Sequence, residues 1–329
     1  MPDNLHLTQF NNAKSPVPLI SIRGSMKRIV KVQSFAFPKS GFPAFNYLSG
    51  LISFEMGKFK IAVLGGGNIG TSLAMGLIRS KQFTIDKIVL TEKRESRLAF
   101  LKKNGFNVTD NNIKAVADAE IIVMAVKPQQ FEALAEEVKN NITSRHILIS
   151  TITGVSHKDI QFKFGSIPNV RIMPNTALEI CESMTCLSFS NMKPGQEESM
   201  TSLFDKMGKT LVIPEELMGA ATVIGACGIA FALRFMRAMS QGGIEIGFNS
   251  EISQLITAQT VKGAARLILE TTNHPESEID KVTTPQGITI SGLNEMEHQG
   301  LSSAVIRGLT TSFNKLENMA SRSFKSLAT

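Results

Sequence analysis

The sequence predicts an α/β fold, with a doubly wound parallel sheet followed by a separate all-helical region. Three observations carry this expectation. From Met56 onward, short apolar runs alternate with helix-periodic stretches, the pattern of parallel strands joined by crossover helices. The first run, Lys58–Leu64, passes straight into the turn Gly65-Gly66-Gly67-Asn68-Ile69-Gly70, and a helix-periodic stretch follows. Near Pro214 the character changes, and from Met218 to about Arg322 there are long helical stretches and no convincing strand.

The elements follow in order. Lys58–Leu64 reads as a buried, β-branched strand, and Thr71–Ser80 as a helix with Leu73, Ala74, Leu77 and Ile78 on one face. Lys87–Thr91 is a second strand and Arg94–Asn104 a second helix. Asn107–Thr109 is a short third strand and Ile113–Ala117 a short helix. Glu120–Ala125 is the fourth strand, Phe131–Asn140 a helix, and His146–Ser150 the fifth strand. Asn169–Ile172 and Met184–Ser188 add further strands. The expected division is residues 1–55 as an extension, 56–216 as the dinucleotide-binding domain, 217–322 as the helical domain and 323–329 as a tail.

Composition narrows the function. A chain of 329 residues with 43% hydrophobic content suits two domains with sizeable cores. No uninterrupted apolar run reads as long enough to span a bilayer. Cys181, Cys186 and Cys227 form neither a disulfide framework nor a metal-like cluster with the histidines, so no metal is expected and a reducing cytoplasm fits. The net charge is +7, of which residues 1–55 carry more than half. The remainder is only mildly basic, which gives little support to nucleic-acid binding.

Residues 1–55 hold five of the twelve prolines, the only tyrosine (Tyr47) and no clear periodicity. They are basic and acid-poor, as transit peptides are, but lack helical amphipathicity. The segment reads as an untargeted extension or a start placed too early, with Met56 directly before the first strand.

The glycine turn is the layout of a Rossmann-type dinucleotide site. Gly65 permits the tight turn, Gly67 lets the backbone approach a pyrophosphate, and Gly70 lets the helix pack on the sheet. The N–H groups around Asn68, Ile69 and Gly70 then face the anion at the positive end of the helix. At the end of the second strand, Glu92 suits a ribose hydroxyl, whereas Lys93 and Arg94, with Arg97 beyond, suit a 2′-phosphate. NADH and NADPH both stay open. Ala125-Val126-Lys127-Pro128 leaves the fourth strand at its carboxyl end, where backbone packs against the nicotinamide ribose. No tyrosine or tryptophan follows Met56, and His146, His157, His274 and His298 read as solvated rather than catalytic. A substrate needing little acid help is therefore indicated, and an imine that already carries its proton is one. In the helical region, Val282–Leu293 is not helix-like: Pro285 and Gly287 break the chain, hydroxyls cluster around them (Thr283, Thr284, Thr289, Ser291), and a helix follows. The segment is either a carboxylate cradle or an interhelical loop with capping threonines.

Taken together, several blocks resemble the pyrroline-5-carboxylate reductase family. They are Ile61–Gly70, Ala125–Pro128, Arg171–Thr176, Gly242-Gly243 with Gly247, Gln259–Ala265, His274-Pro275 and Val282–Leu293, in the family's order from Met56 to about Leu316. The resemblance implies hydride transfer from NADPH or NADH to the C=N carbon of 1-pyrroline-5-carboxylate, giving L-proline. It places Asn112 at the adenosine part of the cofactor and Thr289 at the ring nitrogen, with the backbone of Gly287 and Ile288 at the carboxylate. It also implies a helical dimerisation domain, a site at a homodimer interface, and in some members a ring of dimers. The chain departs from the family pattern in its substrate half. Ala226-Cys227-Gly228-Ile229 lacks the expected serine and proline, Arg237 replaces an acid, Ala177 a proline, Gln286 a glycine and Ile288 a threonine. A related reductase of another small imine or keto acid, or a non-catalytic nucleotide-binding paralogue, are the alternatives.

The sequence reading of residues 1–55 has a direct test. A chain starting at Met56 should keep its thermal stability and turnover; a large loss of either on truncation contradicts this reading.

Overall fold

The structure, a computed structural model, describes residues 61–325, with side chains to Met319. The extension expected over 1–55, the start of the first strand at Lys58 and the last four residues of the tail lie outside the described residues. Eight strands form one sheet: β1 (Ile61–Leu64), β2 (Ile88–Thr91), β3 (Asn107–Thr109), β4 (Ile121–Met124), β5 (Ile147–Ser150), β6 (Asn169–Met173), β7 (Ser183–Ser190) and β8 (Gly208–Val212). Their order is β3-β2-β1-β4-β5-β6-β7-β8. β1 pairs in parallel with both β2 and β4, so the winding reverses at β1 and opens a crevice at the strands' carboxyl ends.

Six helices cover the sheet: α1 (Asn68–Arg79), α2 (Glu95–Lys103), α3 (Asn112–Ala117), α4 (Phe131–Val138), α5 (His157–Phe164) and α6 (Gln196–Asp205). Alternation along β1 assigns the two cores. Ile61 and Val63 pack with Leu73 and Leu77 of α1, Leu101 of α2 and Phe204 of α6. Ala62 and Leu64 pack on the other face with Val116 of α3, Leu134 of α4 and Ile160 of α5. A strand buried on both faces reads as a continuous apolar run, which is why these strands are legible. The sheet is parallel-dominated as expected, with one departure: β7 runs antiparallel to β6 before β8 joins it in parallel.

Beyond the sheet, α7 (Met218–Ala221), a π-helical turn (Thr222–Cys227) and α8 (Gly228–Glu245) follow one another without a break. After them come α9 (Ser250–Thr271), α10 (Pro275–Lys281), α11 (Ile288–His298) and α12 (Leu301–Lys325). α11 begins inside the segment expected to be non-helical, so only residues 282–287 are irregular. Met218 and Ala221 anchor the helices on Met173 and Cys186 of the sheet. Glu215 adds a polar tie. It accepts the His157 N–H at 2.6 Å and an Arg171 N–H at 2.7 Å. Burial pushes its carboxyl up, but these two donors outweigh burial and hold it below the usual carboxylate range.

The helical region buries little of itself. No residue of α8 or α11 is buried, and only Ser253 and Thr257 are buried in α9. α8 and α9 cross through small polar groups: Ser253 Oγ donates to the Ser240 carbonyl at 2.7 Å, against Gly243, which has no room for a Cβ. The large apolar residues face outward, with Leu255 70%, Leu269 72% and Ile246 80% exposed. Apolar surface on this scale marks an association face. The continuous helix 215–245 is also long and apolar enough, by length and composition, to cross a membrane. The sequence shows no uninterrupted run of this length because Gly219, Thr222, Gly225 and Gly228 break the apolar residues of 217–233, yet no charge does.

The exposure of α9 generates a prediction. In a lone protomer, Leu255→Glu with Leu269→Glu would be nearly neutral surface changes, within about 0.5 kcal/mol each. If a second copy covers them, the double variant should sediment as a monomer while the unmutated chain sediments as a larger species. Equal sedimentation of the two proteins would show that α9 is not a contact face.

Candidate nucleotide and substrate site

The glycine turn is built by crowding. Gly65 has φ +117°, and a Cβ there would meet the Ala125 carbonyl oxygen at 2.6 Å, so only glycine fits where β1 passes the end of β4. A Cβ on Gly70 would collide with the Gly65 carbonyl. Gly67, by contrast, opens on empty space at the start of α1. The turn is therefore closed on the protein side and open on the side where an anion would approach, with the first N–H groups of α1 beside it. These residues fit a dinucleotide pyrophosphate. Arg97 holds the turn from α2: its Nε donates to the Gly66 carbonyl at 2.9 Å and its Nη2 to Thr71 Oγ at 3.1 Å. Arg97, expected to suit a 2′-phosphate, is thus engaged with the turn itself. A groove of about 650 Å³ runs from Asn68 and Thr71 past Arg97 and Phe100 to Glu179.

At the end of β2 the opposed charges are joined. Glu92 accepts Arg94 Nε at 3.1 Å and Nη2 at 2.9 Å, and also the backbone N–H groups of Lys93 and Arg94, each at 3.0 Å. The Arg94 guanidinium holds the Glu92 carboxyl below the usual carboxylate range, against partial burial that pushes it up. Lys93 pairs with Glu137 at 2.9 Å, and the buried Asn112 donates to the same carboxylate oxygen at 3.0 Å. Lys93 and Asn112 are thus brought together through Glu137 of α4, a residue that the sequence reading did not single out. Only its charge, at the last position but one of α4, signals it.

Ala125 continues β4, its N–H bonding the Leu64 carbonyl at 2.9 Å. Val126 packs against the core from there, and Lys127 and Pro128 are exposed and begin a short 3-10 turn. At the end of β6, the Asn175 side chain donates to the Gly225 carbonyl of the π-turn at 3.1 Å. Asn175 is a second residue with no assigned role in the sequence reading.

The start of α11 carries Gly287 as its N-cap, then Ile288 and Thr289, and no side chain caps it. The Gly287 N–H donates to the Thr284 carbonyl at 2.9 Å, which leaves the first N–H groups of the helix, those of Ile288 and Thr289, for an external acceptor. Gln286, which stands where the resemblance expects glycine, has φ +56°. The backbone keeps the left-handed bend although the residue is not glycine. Thr289 is half-buried and Ile288 exposed. α11 packs chiefly on α12 of its own chain, and none of its residues lines the groove beside the glycine turn. The cofactor-side and substrate-side residues thus form two separate groups.

Two histidines differ from expectation. His146 and His157 are buried rather than solvated. His146 accepts the Thr143 N–H at 2.9 Å, and burial holds its ring below the ordinary histidine value. His157 is bonded between Asn169 and Ser188. Both are satisfied core groups. His274 caps α10 and His298 ends α11. Among the described residues no cluster of histidine, cysteine or acid side chains is arranged to hold a metal.

The turn and the Glu92–Arg94 pair generate separate predictions. Gly67→Val fills the one open position, so NADH and NADPH binding by fluorescence titration should collapse while the melting temperature holds. Retained affinity would place the pyrophosphate elsewhere. Glu92→Ala releases Arg94 and removes a carboxylate that repels a 2′-phosphate, so the ratio of NADPH to NADH affinity should rise. An unchanged ratio would put this pair outside the ribose pocket.

Comparison with known proteins places these features. Residues 215–319 match a family model described as pyrroline-5-carboxylate reductase dimerisation, and residues 60–154 one described as NADP oxidoreductase, coenzyme F420-dependent. The chain is 46% identical over 272 residues to pyrroline-5-carboxylate reductase 1 of Dictyostelium discoideum; the match takes in 79% of this chain but spans only about half, 49%, of that relative's length. It is 39% identical over 289 residues to pyrroline-5-carboxylate reductase 2 of the same organism, covering 80% of this chain and 97% of the relative. Among solved structures, a pyrroline-5-carboxylate reductase from Coxiella burnetii superposes with a TM-score of 0.68 at 28% identity, over 79% of this chain and 98% of that one. The Plasmodium falciparum enzyme, solved with NADP bound, shares the fold with a TM-score of 0.72 at 24% identity, over 80% of this chain and 98% of that one. On the 39% identity over nearly the whole of one such enzyme, the chain belongs to the pyrroline-5-carboxylate reductase family.

Proposed function

We propose that this protein reduces the C=N bond of 1-pyrroline-5-carboxylate to L-proline, the last step of proline biosynthesis, using NADPH or NADH. The observation that carries the reading is the combination, in one member of this family, of a glycine turn open only at Gly67 and an uncapped α11 start bearing Gly287, Ile288 and Thr289. Bound along the carboxyl edge of the sheet, the reduced nicotinamide supplies the hydride. The N–H groups at Asn68, Ile69 and Gly70 hold the pyrophosphate, and the Ala125–Pro128 backbone backs the nicotinamide ribose. Glu92, Lys93 and Arg94 meet the adenosine ribose, with Asn112 nearby. On the substrate side, the Ile288 N–H holds the carboxylate, joined by the Gly287 N–H when it exchanges the Thr284 carbonyl for the substrate. The Thr289 hydroxyl accepts the N–H of the protonated imine, which steadies the ring nitrogen while its carbon takes the hydride. Nitrogen keeps its proton as the C=N π pair becomes its lone pair, so no histidine is needed.

The two groups of residues meet between two copies. A second chain packed on the bare faces of α8 and α9 buries them and delivers its own α11 start to the glycine turn of the first. The family's dimerisation model covers this same region, which supports self-association as the fate of the apolar helix 215–245 in place of a membrane. Assembly of these dimers into a ring, and a cytoplasmic location suited to the three free thiols, belong to the same reading. The mild charge of the folded part supports no nucleic-acid partner.

Gln286 and Arg237 favour a second reading, in which another small imine or keto acid is reduced. Purified protein decides between the two by NAD(P)H oxidation coupled to proline formation. Thr289→Ala should cut turnover about tenfold to a thousandfold, the effect of one lost oriented hydrogen bond, with cofactor affinity unchanged, and Thr289→Ser should recover much of the rate. Normal turnover of Thr289→Ala would remove the hydroxyl from the mechanism. No proline from the unmutated protein would favour the second reading.

A further inference from the structure

Asn175 lies two residues past β6, at the carboxyl end of the sheet, and is 9% exposed. Its backbone N–H donates to Ser183 Oγ at 3.2 Å, and its Oδ1 accepts the Ala177 N–H at 3.0 Å. The second bond settles which way the amide faces, because only a carbonyl oxygen can accept there. Nδ2 is then directed at the Gly225 carbonyl, 50 residues along the chain. Gly225 belongs to the π-turn Thr222–Cys227, a rare widening of a helix that occurs frequently at functional sites. The turn is pinned a second time from within, where Thr222 Oγ donates to the Met218 carbonyl at 2.8 Å. The turn ends in Cys227, and Gly228 and Ile229 follow, where the side chains expected from the family resemblance are missing. The chain has lost those groups but keeps the asparagine that fixes the turn before them.

We infer that Asn175 is a positioning residue for hydride transfer: by holding Gly225 it sets the direction in which α8 leaves the sheet. α8 carries the face on which the second copy packs, so its direction decides where that copy's α11 start meets the nicotinamide. The inference rests on the reading of this protein as a pyrroline-5-carboxylate reductase working as a dimer. An error of about 1 Å in such a placement costs on the order of a hundredfold in rate, so one hydrogen bond at the base of a long helix has leverage.

The test is Asn175→Asp in the full-length protein. The substitution keeps the shape and the acceptor for Ala177 but turns a carboxylate oxygen toward the Gly225 carbonyl. Rates are referred to cofactor-binding sites counted by NADPH titration, so that misfolded protein drops out. The expected result is a kcat lower by about ten- to a hundredfold, an unchanged NADPH affinity, and a larger primary isotope effect with NADPH deuterated at the transferred position. Thr222→Val, which removes the other pin, should move kcat and the isotope effect the same way by less. A purely structural role would lower the number of binding sites and leave both quantities per site unchanged. That result, or unmutated values for Asn175→Asp, overturns the inference. If the unmutated protein forms no proline, the underlying reading fails first, before any variant is compared.

Discussion

Gly70 rests on the Gly65 carbonyl, and Gly65 rests on the Ala125 carbonyl, with no space for a Cβ at either place. This contact between β1, β4 and α1 is the constraint from which the rest of the nucleotide half follows. It draws the first turn of α1 over the crevice where the sheet's winding reverses, so that free N–H groups and open space at Gly67 lie on the ligand side. It also fixes Ala125, and with it the Ala125–Pro128 backbone, at the edge of the same crevice. Arg97 clamps the turn from the next helix, and Glu92 and Arg94 lock the end of β2 beside it. The two closest of these contacts are between backbones, and the arginine and glutamate side chains are already bonded to the protein, which is consistent with a site formed before its ligand arrives.

The helical half follows the opposite logic. Its helices cross through serine and glycine and turn their leucines, isoleucines and phenylalanines outward. Full burial of one such side chain is worth about 1.5–3 kcal/mol, so a second copy supplies what the single chain lacks. Three ties keep this half aligned with the sheet: the apolar cluster around Met218, the Glu215–Arg171 contact and the Asn175–Gly225 bond. On the proposed reading, substrate chemistry sits on the half that needs a partner, which makes activity contingent on assembly.

Much of this was legible in the sequence. Strands β1, β2, β4 and β5 declare themselves because both faces are largely buried, so each is a mainly apolar run between turn residues; β3 is a short, partly exposed edge strand, and β6 carries Asn169 and Arg171 among its apolar residues. The direction of β7 was not legible, since apolar alternation is the same for parallel and antiparallel pairing. β8 was missed because Gly208, Lys209 and Thr210 are partly solvated at the sheet edge, and α6 because its first turns, Gln196 to Ser199, are polar. At the site, glycine spacing announced the turn, but not that Gly65 is constrained by β4, a contact that exists only after folding. Glu92 and Arg94 read as opposed signals for two cofactors, whereas the fold makes them partners. His157 reads as polar surface because its partners, Asn169 and Ser188, are distant in sequence. Asn175 was seen as part of a motif, but its task depends on a carbonyl 50 residues away, and backbone carbonyls leave no mark in a sequence.

On the proposed reading, one catalytic site combines the glycine turn of one copy with the α11 start of another. Subunit mixing separates this arrangement from a site within one chain. Proteins carrying Gly67→Val and Thr289→Ala, each nearly inactive alone, are co-expressed so that mixed dimers form, and proline formation is measured. If the site spans two copies, each mixed dimer holds one doubly damaged site and one intact site. Random pairing then restores about a quarter of the unmutated activity. If both groups act within one chain, every site carries one lesion, and the mixture stays at the average of its two parents.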